Sequence, residues 1–300
     1  MMFLEKQNIG NRAFNIINYT VFLVFTILCV FPFYYIFINT ISNNELVAHG
    51  KILFVPQDIQ FQNYMEVFKL RGLGRAAFIS VTRTVLGTLL TLLGSSFLGY
   101  AFCRTEFWNR KFWYRFVVIT MYFNAGIIPW FLTMKLLGLT NNFWVYVLPA
   151  LVVPFYMILF KTYVEQIPAS MEESAQLDGA GYIVRYINII LPLCTPILAT
   201  IAVFASVGQW NSFLDTLFLI RKSNLFTLQY LLYEYLNEAN AIAAAIRSSP
   251  QYQNTAVSHL LTPTSVRMTI SMVIVLPILF VYPFLQKYFV KGIMIGAVKG

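Results

Sequence analysis

Charge and reactive side chains are scarce in this chain. Two histidines, three cysteines and 12 carboxylates among 300 residues leave little from which to assemble a catalytic or metal centre. His49 and His259 stand far apart in expected loops. Cys29, Cys103 and Cys194 lie in or beside apolar runs without ligand spacing, so they read as packing residues. No G-x-x-x-x-G-K-S/T loop is present to cradle phosphates, and no His-Glu-x-x-His stands on any expected helix. The chain therefore lacks the parts to hydrolyse a nucleotide by itself. Charged residues make up 11% against 58% hydrophobic, which excludes a soluble domain. The formal charge of +9 invites a nucleic-acid partner, but a membrane protein keeps Lys and Arg in its cytoplasmic loops and is basic without one.

What the sequence has instead is long apolar runs, several reaching the roughly 20 residues that cross a bilayer. Six spans are readable: about Ile16–Ile38, Ala76–Phe102, Trp113–Met134, Phe143–Tyr163, Ile189–Leu219 and Val266–Gln286. The first is too long for a cleaved signal peptide and lacks a small-residue cleavage site, so it stays as a helix. Pro32, Pro277 and Pro283 sit inside these runs, where neighbouring helices satisfy the freed carbonyls. The expected fold is an all-α membrane bundle over residues 16–286, with an N-terminal segment 1–15 and a tail 287–300.

Orientation follows from the basic residues. An even number of spans puts both termini on one side, and Lys6, Arg12, Arg104, Arg110, Lys111, Arg115, Lys287, Lys291 and Lys299 share it, which makes it the cytoplasmic side. The other side carries nearly as many basic residues over much longer loops, at 39–75 and 220–265. The second of these holds an Ala-rich helix around Glu234–Ile246 and a polar stretch from Ser248 to Asn254. Thr262-Pro263 reads as an N-cap and N1 pair opening the last span. Loops of this length are contact sites for an external partner, or else a lid.

The polar interruption at 167–192 is organised unlike a plain connector. Pro168 ends the preceding helix, and Ser170 with Glu173 has the spacing of a capping box. Gly179 and Gly181 are placed to supply positive φ and stop that helix. Ile183, Tyr186, Ile187 and Ile190 then fall on one apolar face of a second piece. On the topology above, this elbow faces the cytoplasm.

Glu173-Ser174-Ala175, three residues, Gly179, nine residues, then Ile189-x-Leu191-Pro192 resembles the EAA motif of ABC importer permeases, with Ser174 in place of the first alanine. Phe123-Asn-Ala-Gly-Ile-Ile-Pro129, Gly208-Gln-Trp-Asn-Ser-Phe-Leu-Asp215 and the tail from Gln286 to Gly300 are similar to carbohydrate-uptake permeases of that family, the maltose-permease-like group and, more closely, its branch with an alginate-transporter subunit. The resemblance covers nearly the whole chain. It implies a type I importer permease in a bacterial plasma membrane, bound by membrane lipid. It also implies a second homologous permease, two ATPase subunits that bind ATP and Mg, an extracytoplasmic solute-binding protein and an oligosaccharide substrate. No cofactor is implied in this chain itself. The elbow's first helix would enter a cleft on an ATPase, with Glu173 meeting a basic residue, Ser174 and Ala175 allowing close packing, and Gly179 aiming the turn. Asp178 is either a second acidic contact or a solvated helix end.

Polar residues inside the spans mark where cargo passes. Asn211 and Asp215 stand four apart with Trp210 beside them, offering a stacking ring and hydroxyl partners; the alternative for Trp210 is an interfacial anchor. Tyr122 and Asn124 precede Gly126 and Pro129, which either break the third span open to a cavity or merely kink it. Arg83, two turns from the outer end of the second span, snorkels to the interface; turned inward it would favour an anionic sugar. Gly87, Thr91, Gly94, Ser95 and Gly99 let helices approach that same span closely. Two other readings remain: an intramembrane enzyme, for which Asp215 lacks a carboxylate partner, and a sensor that docks a cytoplasmic protein through the elbow without transport.

Overall fold

The computed structural model describes residues 9–248 and 264–279. Every regular element among them is helical. They form two compact units: residues up to Lys69 with Tyr235–Val273, and Leu70–Glu234 with the residues from Ile274 onward.

In the first unit, α1 (Ile9–Thr40) runs without a break through Pro32. From Phe14 to Phe33 it is mostly apolar and exposed almost all round, as a lipid-facing helix is. Its last turn is different. Asn39, Thr40 and Ser42 are buried, and the Thr40 hydroxyl pairs with the Tyr64 hydroxyl at 2.8 Å. Asn63 Nδ2 donates to the Thr40 carbonyl at 3.0 Å. These bonds fold the loop after α1 back on the helix, with two short helices in it, α2 (Asn44–Ala48) and α3 (Gln62–Phe68). Asn43 caps α2 by accepting the Glu45 N–H, and Ile38, Val47 and Ile52 form the small core beneath.

The second unit is built around α4 (Leu73–Cys103), which packs against the fourth and fifth apolar segments. Small residues permit this. A Cβ on Gly87 would lie 2.7 Å from the Gln209 side chain, one on Gly99 2.9 Å from the Met157 carbonyl, and one on Gly94 would strike the Leu151 carbonyl. Beyond α4 come α5 (Arg110–Thr120) and α6 (Ile127–Leu136). Two 3-10 turns, Phe143–Tyr146 and Leu148–Ala150, lead into α7 (Pro154–Val164) at a 44° bend. The backbone groups freed there are taken up by α4: Thr91 Oγ1 donates to the Ala150 carbonyl at 2.7 Å, and the Val153 N–H donates to Ser95 Oγ at 3.1 Å. After the elbow helix α8 (Ser170–Leu177) come α9 (Tyr182–Leu193), α10 (Thr195–Asn211) and α11 (Leu214–Leu219). Two more helices, α12 (Leu228–Ser248) and α13 (Thr264–Leu279), complete the described chain.

The structure differs from the expected spans in the third and in the fifth. The third is two helices, because Gly126 at φ +87° and an Asn124 side chain accepting the Gly126 N–H at 2.9 Å form a turn that no continuous helix accommodates. Pro129 then sits in the first turn of α6, where its missing N–H costs little. The fifth is cut twice: α9 meets α10 at an 82° bend beside Cys194, and α10 ends at Asn211 before extended Ser212. Six uninterrupted spans are therefore not present among the described residues; α1 and α4 are long and apolar enough to cross alone, and each bent pair adds one if it is counted as a single span. The Ala-rich helix is longer than expected, beginning at Leu228. The Thr262-Pro263 cap, Pro283 and the tail 287–300 lie outside the described residues, as do His259 and the polar stretch beyond Ser248.

Candidate functional site: the elbow and a buried ion-pair cavity

The elbow begins with Pro168 and Ala169 carbonyls already accepting helical bonds from Met171, Glu172 and Glu173. This makes Ser170 the first helical residue, so the expected capping box does not form; the Ser170 carbonyl instead accepts from Ser174 Oγ at 2.9 Å. Glu172 and Glu173 sit in the first turn, where the helix dipole favours them. The stop is a paired turn: Gly179 donates to the Gln176 carbonyl at 3.0 Å and Ala180 to the Ala175 carbonyl at 2.9 Å. Gly179 needs φ +82° for this. Gly181 does not share that role, since its backbone is extended at φ −68°, and it heads α9 instead.

The two carboxylates of α8 point to opposite environments. Glu173 is exposed, along with Ser174, Leu177 and Asp178, and Leu177 is 89% exposed. Ala175 is half-buried. Glu172 is buried and holds three partners from two other elements. Tyr100 OH donates to it at 2.7 Å, Arg104 Nη1 forms an ion pair with it, and Arg185 Nη1 lies 3.4 Å away. Arg185 also donates to Gln176 Oε1 at 3.0 Å. Each guanidinium covers a tyrosine ring, Arg104 on Tyr100 and Arg185 on Tyr182. One carboxylate thus ties the elbow helix to the end of α4 and to α9. Reasoning from the motif alone passed over Glu172, although Glu172 and Gln176 stand four apart on one stripe of the helix, a step round from Glu173, and two arginines lie at neighbouring span ends.

In α9 the expected apolar face splits. Tyr186 and Ile190 are buried, while Ile183 and Ile187 are exposed and Arg185 turns inward. The π-helical stretch Tyr186–Ile190 shifts the register from the ordinary helical period.

Near the other end of α4 lies a second cluster. Arg83 does not snorkel; only 3% of it is exposed. Its Nε donates to Gln209 Oε1 at 3.0 Å, and Nη1 donates to the Ser212 carbonyl at 3.1 Å and to Asp215 Oδ1 at 3.0 Å. Its Nη2 pairs with Asp215 Oδ2. Asp215 also accepts from its neighbour's N–H, that of Thr216, at 2.9 Å, and from Ser212 Oγ at 3.3 Å. The guanidinium lies over the Tyr146 ring, 4.5 Å from its centre. Gly87 makes room for Gln209, and the break after Asn211 presents the Ser212 carbonyl. Arg83, Gln209, Ser212 and Asp215 line a cavity of about 270 Å³, with Thr91, Trp130, Tyr146 and Tyr156 also in its wall. Fully paired charges, hydroxyls and aromatic rings in one cavity suit a polar, uncharged group with an apolar face.

The other pathway residues are distributed differently. Asn211 and Asp215 do not share a helical face, because the helix ends between them; Asn211 Oδ1 instead accepts from Gln229 Nε2 at 3.2 Å. Trp210 Nε1 donates to the Ile274 carbonyl at 3.2 Å, outside the cavity lining. Tyr122 and Asn124 are exposed at the break between α5 and α6. Among the described residues no three His, Cys, Asp or Glu side chains gather as a metal site. His49 Nδ1 meets the Glu45 carbonyl at 2.7 Å within its own loop.

Among the described residues, a helical bundle with broken spans, an elbow tied to the end of α4 and a cavity that sets a buried ion pair among aromatic rings suit a membrane transport component. Residues 91–295 match the family described as binding-protein-dependent transport system inner membrane component, and the chain belongs to it. It is 31% identical over 97% of its length to the polygalacturonan/rhamnogalacturonan transport system permease protein YtcP of Bacillus subtilis (strain 168), covering 99% of that protein. It is likewise 31% identical to protein LplC of the same organism, over 97% of this chain and 96% of that one. Among solved structures, a chain of a bacterial ABC transporter involved in the import of the acidic polysaccharide alginate superposes with a TM-score of 0.82 at 28% identity, over 96% of this chain and 100% of that chain. The fold is that of a type I importer permease, and the relatives whose names state an activity are transport permeases, not enzymes.

Proposed function

We propose that this chain is one of two permease subunits of a bacterial ABC importer for oligosaccharides. Two ATPase subunits bind ATP and Mg at the cytoplasmic side, and an extracytoplasmic solute-binding protein delivers the cargo. The chain crosses the membrane six times within residues 16–286, the broken third and fifth segments each counting once, with segments 1–15 and 287–300 in the cytoplasm. Backbone breaks are tolerated at that depth where protein or a cavity satisfies the freed groups.

The elbow 167–192 is the coupling element. Glu173, Ser174, Ala175, Asp178 and Gly179 present the face that enters the ATPase. The observation that carries this reading is the division of labour in α8: Glu172 anchors the helix to α4 and α9, which leaves Glu173, Ser174 and the fully displayed Leu177 free for a partner. ATP binding draws the elbows together and turns the pathway outward; hydrolysis resets it. Arg83 and Asp215 shape the pathway within this subunit, while Trp210, Asn211, Tyr122 and Asn124 stand on surfaces that a second permease can complete.

Oligosaccharide cargo is supported by what the relatives are named for, a polygalacturonan/rhamnogalacturonan system for YtcP and alginate import for the solved transporter. Arg83 gives no preference for an anionic sugar, because Asp215 neutralises it. The test is ATP hydrolysis by the assembled complex in liposomes. Stimulation by sugar-loaded binding protein supports the reading. Hydrolysis indifferent to cargo points to a docking or sensing role instead.

A further inference from the structure

At the elbow end of α4 a second cavity opens beside the Glu172 anchor. It measures about 250 Å³ and lies between the end of α4, the turn that follows it and the start of α9. Phe97, Ala101, Phe107 and Ile183 give it an apolar wall, and Phe97 and Ile183 are more than half exposed. Its charged lining residues are Arg104 and Glu106. Arg104 is committed only in part: Nη1 pairs with Glu172, while Nε has no hydrogen-bond partner among the described residues and 22% of the side chain is exposed. Glu106 is exposed. Its own backbone N–H, ahead of Thr105 and Arg104, holds its carboxyl below the usual carboxylate range, so it is ionised at neutral pH. One cavity thus sets a cation and an anion, two residues apart, against an apolar wall.

The neighbouring rings give the depth of the opening. Trp108 is 76% exposed and meets Trp113 at 6.4 Å between ring centres. Trp113 in turn meets Phe112 at 5.3 Å and Phe116 at 6.1 Å, and Phe107 joins the end of α4 through Phe102 at 5.6 Å. Exposed tryptophan collects at the headgroup level of a bilayer, which on the proposed topology is that of the cytoplasmic leaflet. A cavity at that depth, with one charge of each sign and an apolar wall, matches a lipid whose headgroup is itself a zwitterion bearing a primary amine. The phosphate sits beside Arg104, the ammonium donates to Glu106, and an acyl chain runs along Phe97 and Ile183. A purely anionic headgroup would set like charge against Glu106, and a choline headgroup offers it no N–H.

We propose that this cavity binds a phosphatidylethanolamine molecule of the cytoplasmic leaflet and that the lipid braces the elbow. The choice of leaflet rests on the importer reading; the cavity and its charges do not. Tyr100, Arg104 and Tyr182 belong to the cavity wall and to the anchor alike. Tyr100 and Arg104 hold Glu172, and Arg185 lies over the Tyr182 ring, 4.5 Å from its centre. A phosphate on the remaining donors of Arg104 keeps its guanidinium where it meets Glu172, so the bound lipid stiffens the link between α4 and α8.

The test uses the whole importer in vesicles that mix phosphatidylethanolamine or phosphatidylcholine with a fixed share of phosphatidylglycerol. Native mass spectrometry of the released complex reads the lipid retained, and cargo-stimulated ATP hydrolysis reads its effect. Phosphatidylethanolamine should be retained about tenfold over phosphatidylcholine, the worth of one charge-assisted hydrogen bond. Glu106→Gln should remove that preference, and Ala101→Trp, which fills the cavity, should remove retention itself. Stimulation by cargo should be higher with phosphatidylethanolamine, and the gain should vanish in Glu106→Gln. Should Ala101→Trp fail to fold, Glu106→Gln decides alone, since its side chain stands in solvent. Equal retention of the two lipids, preferred retention of phosphatidylglycerol, or a preference that Glu106→Gln leaves unchanged overturns the proposal. So does a photocrosslinker at position 183 that captures an ATPase subunit rather than lipid. Selective retention with no cargo stimulation in any vesicle upholds the lipid site and overturns the importer reading instead.

Discussion

Arg83 and Asp215, 132 residues apart in the chain, meet as a buried fork between α4 and α11. The guanidinium spends its remaining donors on Gln209 and on the Ser212 carbonyl, so the helix break after Asn211 and the ion pair define one another. A charge inside an apolar bundle is tolerated because every face of it is met.

Removing one partner of this pair should be far more damaging than removing both. Asp215→Asn strands a buried cation, and a loss of about 3–5 kcal/mol is expected. The double variant Arg83→Met with Asp215→Leu should recover much of it. A double-mutant cycle on thermal unfolding in detergent measures the coupling; additive losses would show that the two side chains act independently.

The two glutamates of α8 should separate cleanly. Glu173→Lys is expected to abolish sugar uptake with membrane insertion intact, since its side chain contacts solvent and little folding energy rides on it. Membrane fractions and transport assays together check this. Uptake at the wild-type rate would remove α8 from the coupling path.

Glu172→Ala leaves Arg104, Arg185 and Tyr100 without their common acceptor. The elbow should then move independently of α4. Cargo-stimulated ATP hydrolysis should fall toward the unstimulated rate, and protease cutting near residues 167–181 should increase. Glu172→Gln keeps the tyrosine bond and should fall between the two. A variant with normal stimulation and normal protease resistance would contradict the anchoring role.

Gly94 lies against the Leu151 carbonyl, where a Cβ has no room. Gly94→Val should separate α4 from the 3-10 turns and break the Thr91 and Ser95 bonds that satisfy them. Low yield of folded protein is the expected result, with Gly94→Ala costing about 1–3 kcal/mol. Gly74, which has open space around it, serves as the tolerant comparison.

Much of this organisation was legible in the residues. The small-residue stripe on α4 announced close helix packing, and the glycine at 179 announced the elbow's turn. The spacing of Glu173, Ala175, Gly179 and Pro192 carried the family. Three things were not legible. Asn124, Gly126 and Pro129 offered a break or a kink of the third span, and apolar periodicity cannot decide between them, because the flanking residues remain equally hydrophobic. The distant pairing of Arg83 with Asp215 depends on tertiary contact, and lone charges near span ends usually do reach for the interface. Glu172 was hidden beside Glu173, since a helix turns about 100° per residue and sends adjacent carboxylates to different surroundings.

Uptake by proteoliposomes holding this chain, its partner permease and the ATPases tests the central claim most directly. Labelled oligosaccharide supplied on the binding protein should accumulate inside only when ATP is present on the elbow side, and Glu173→Lys should stop it. Accumulation without ATP, or brisk ATP hydrolysis with no sugar crossing, would contradict it.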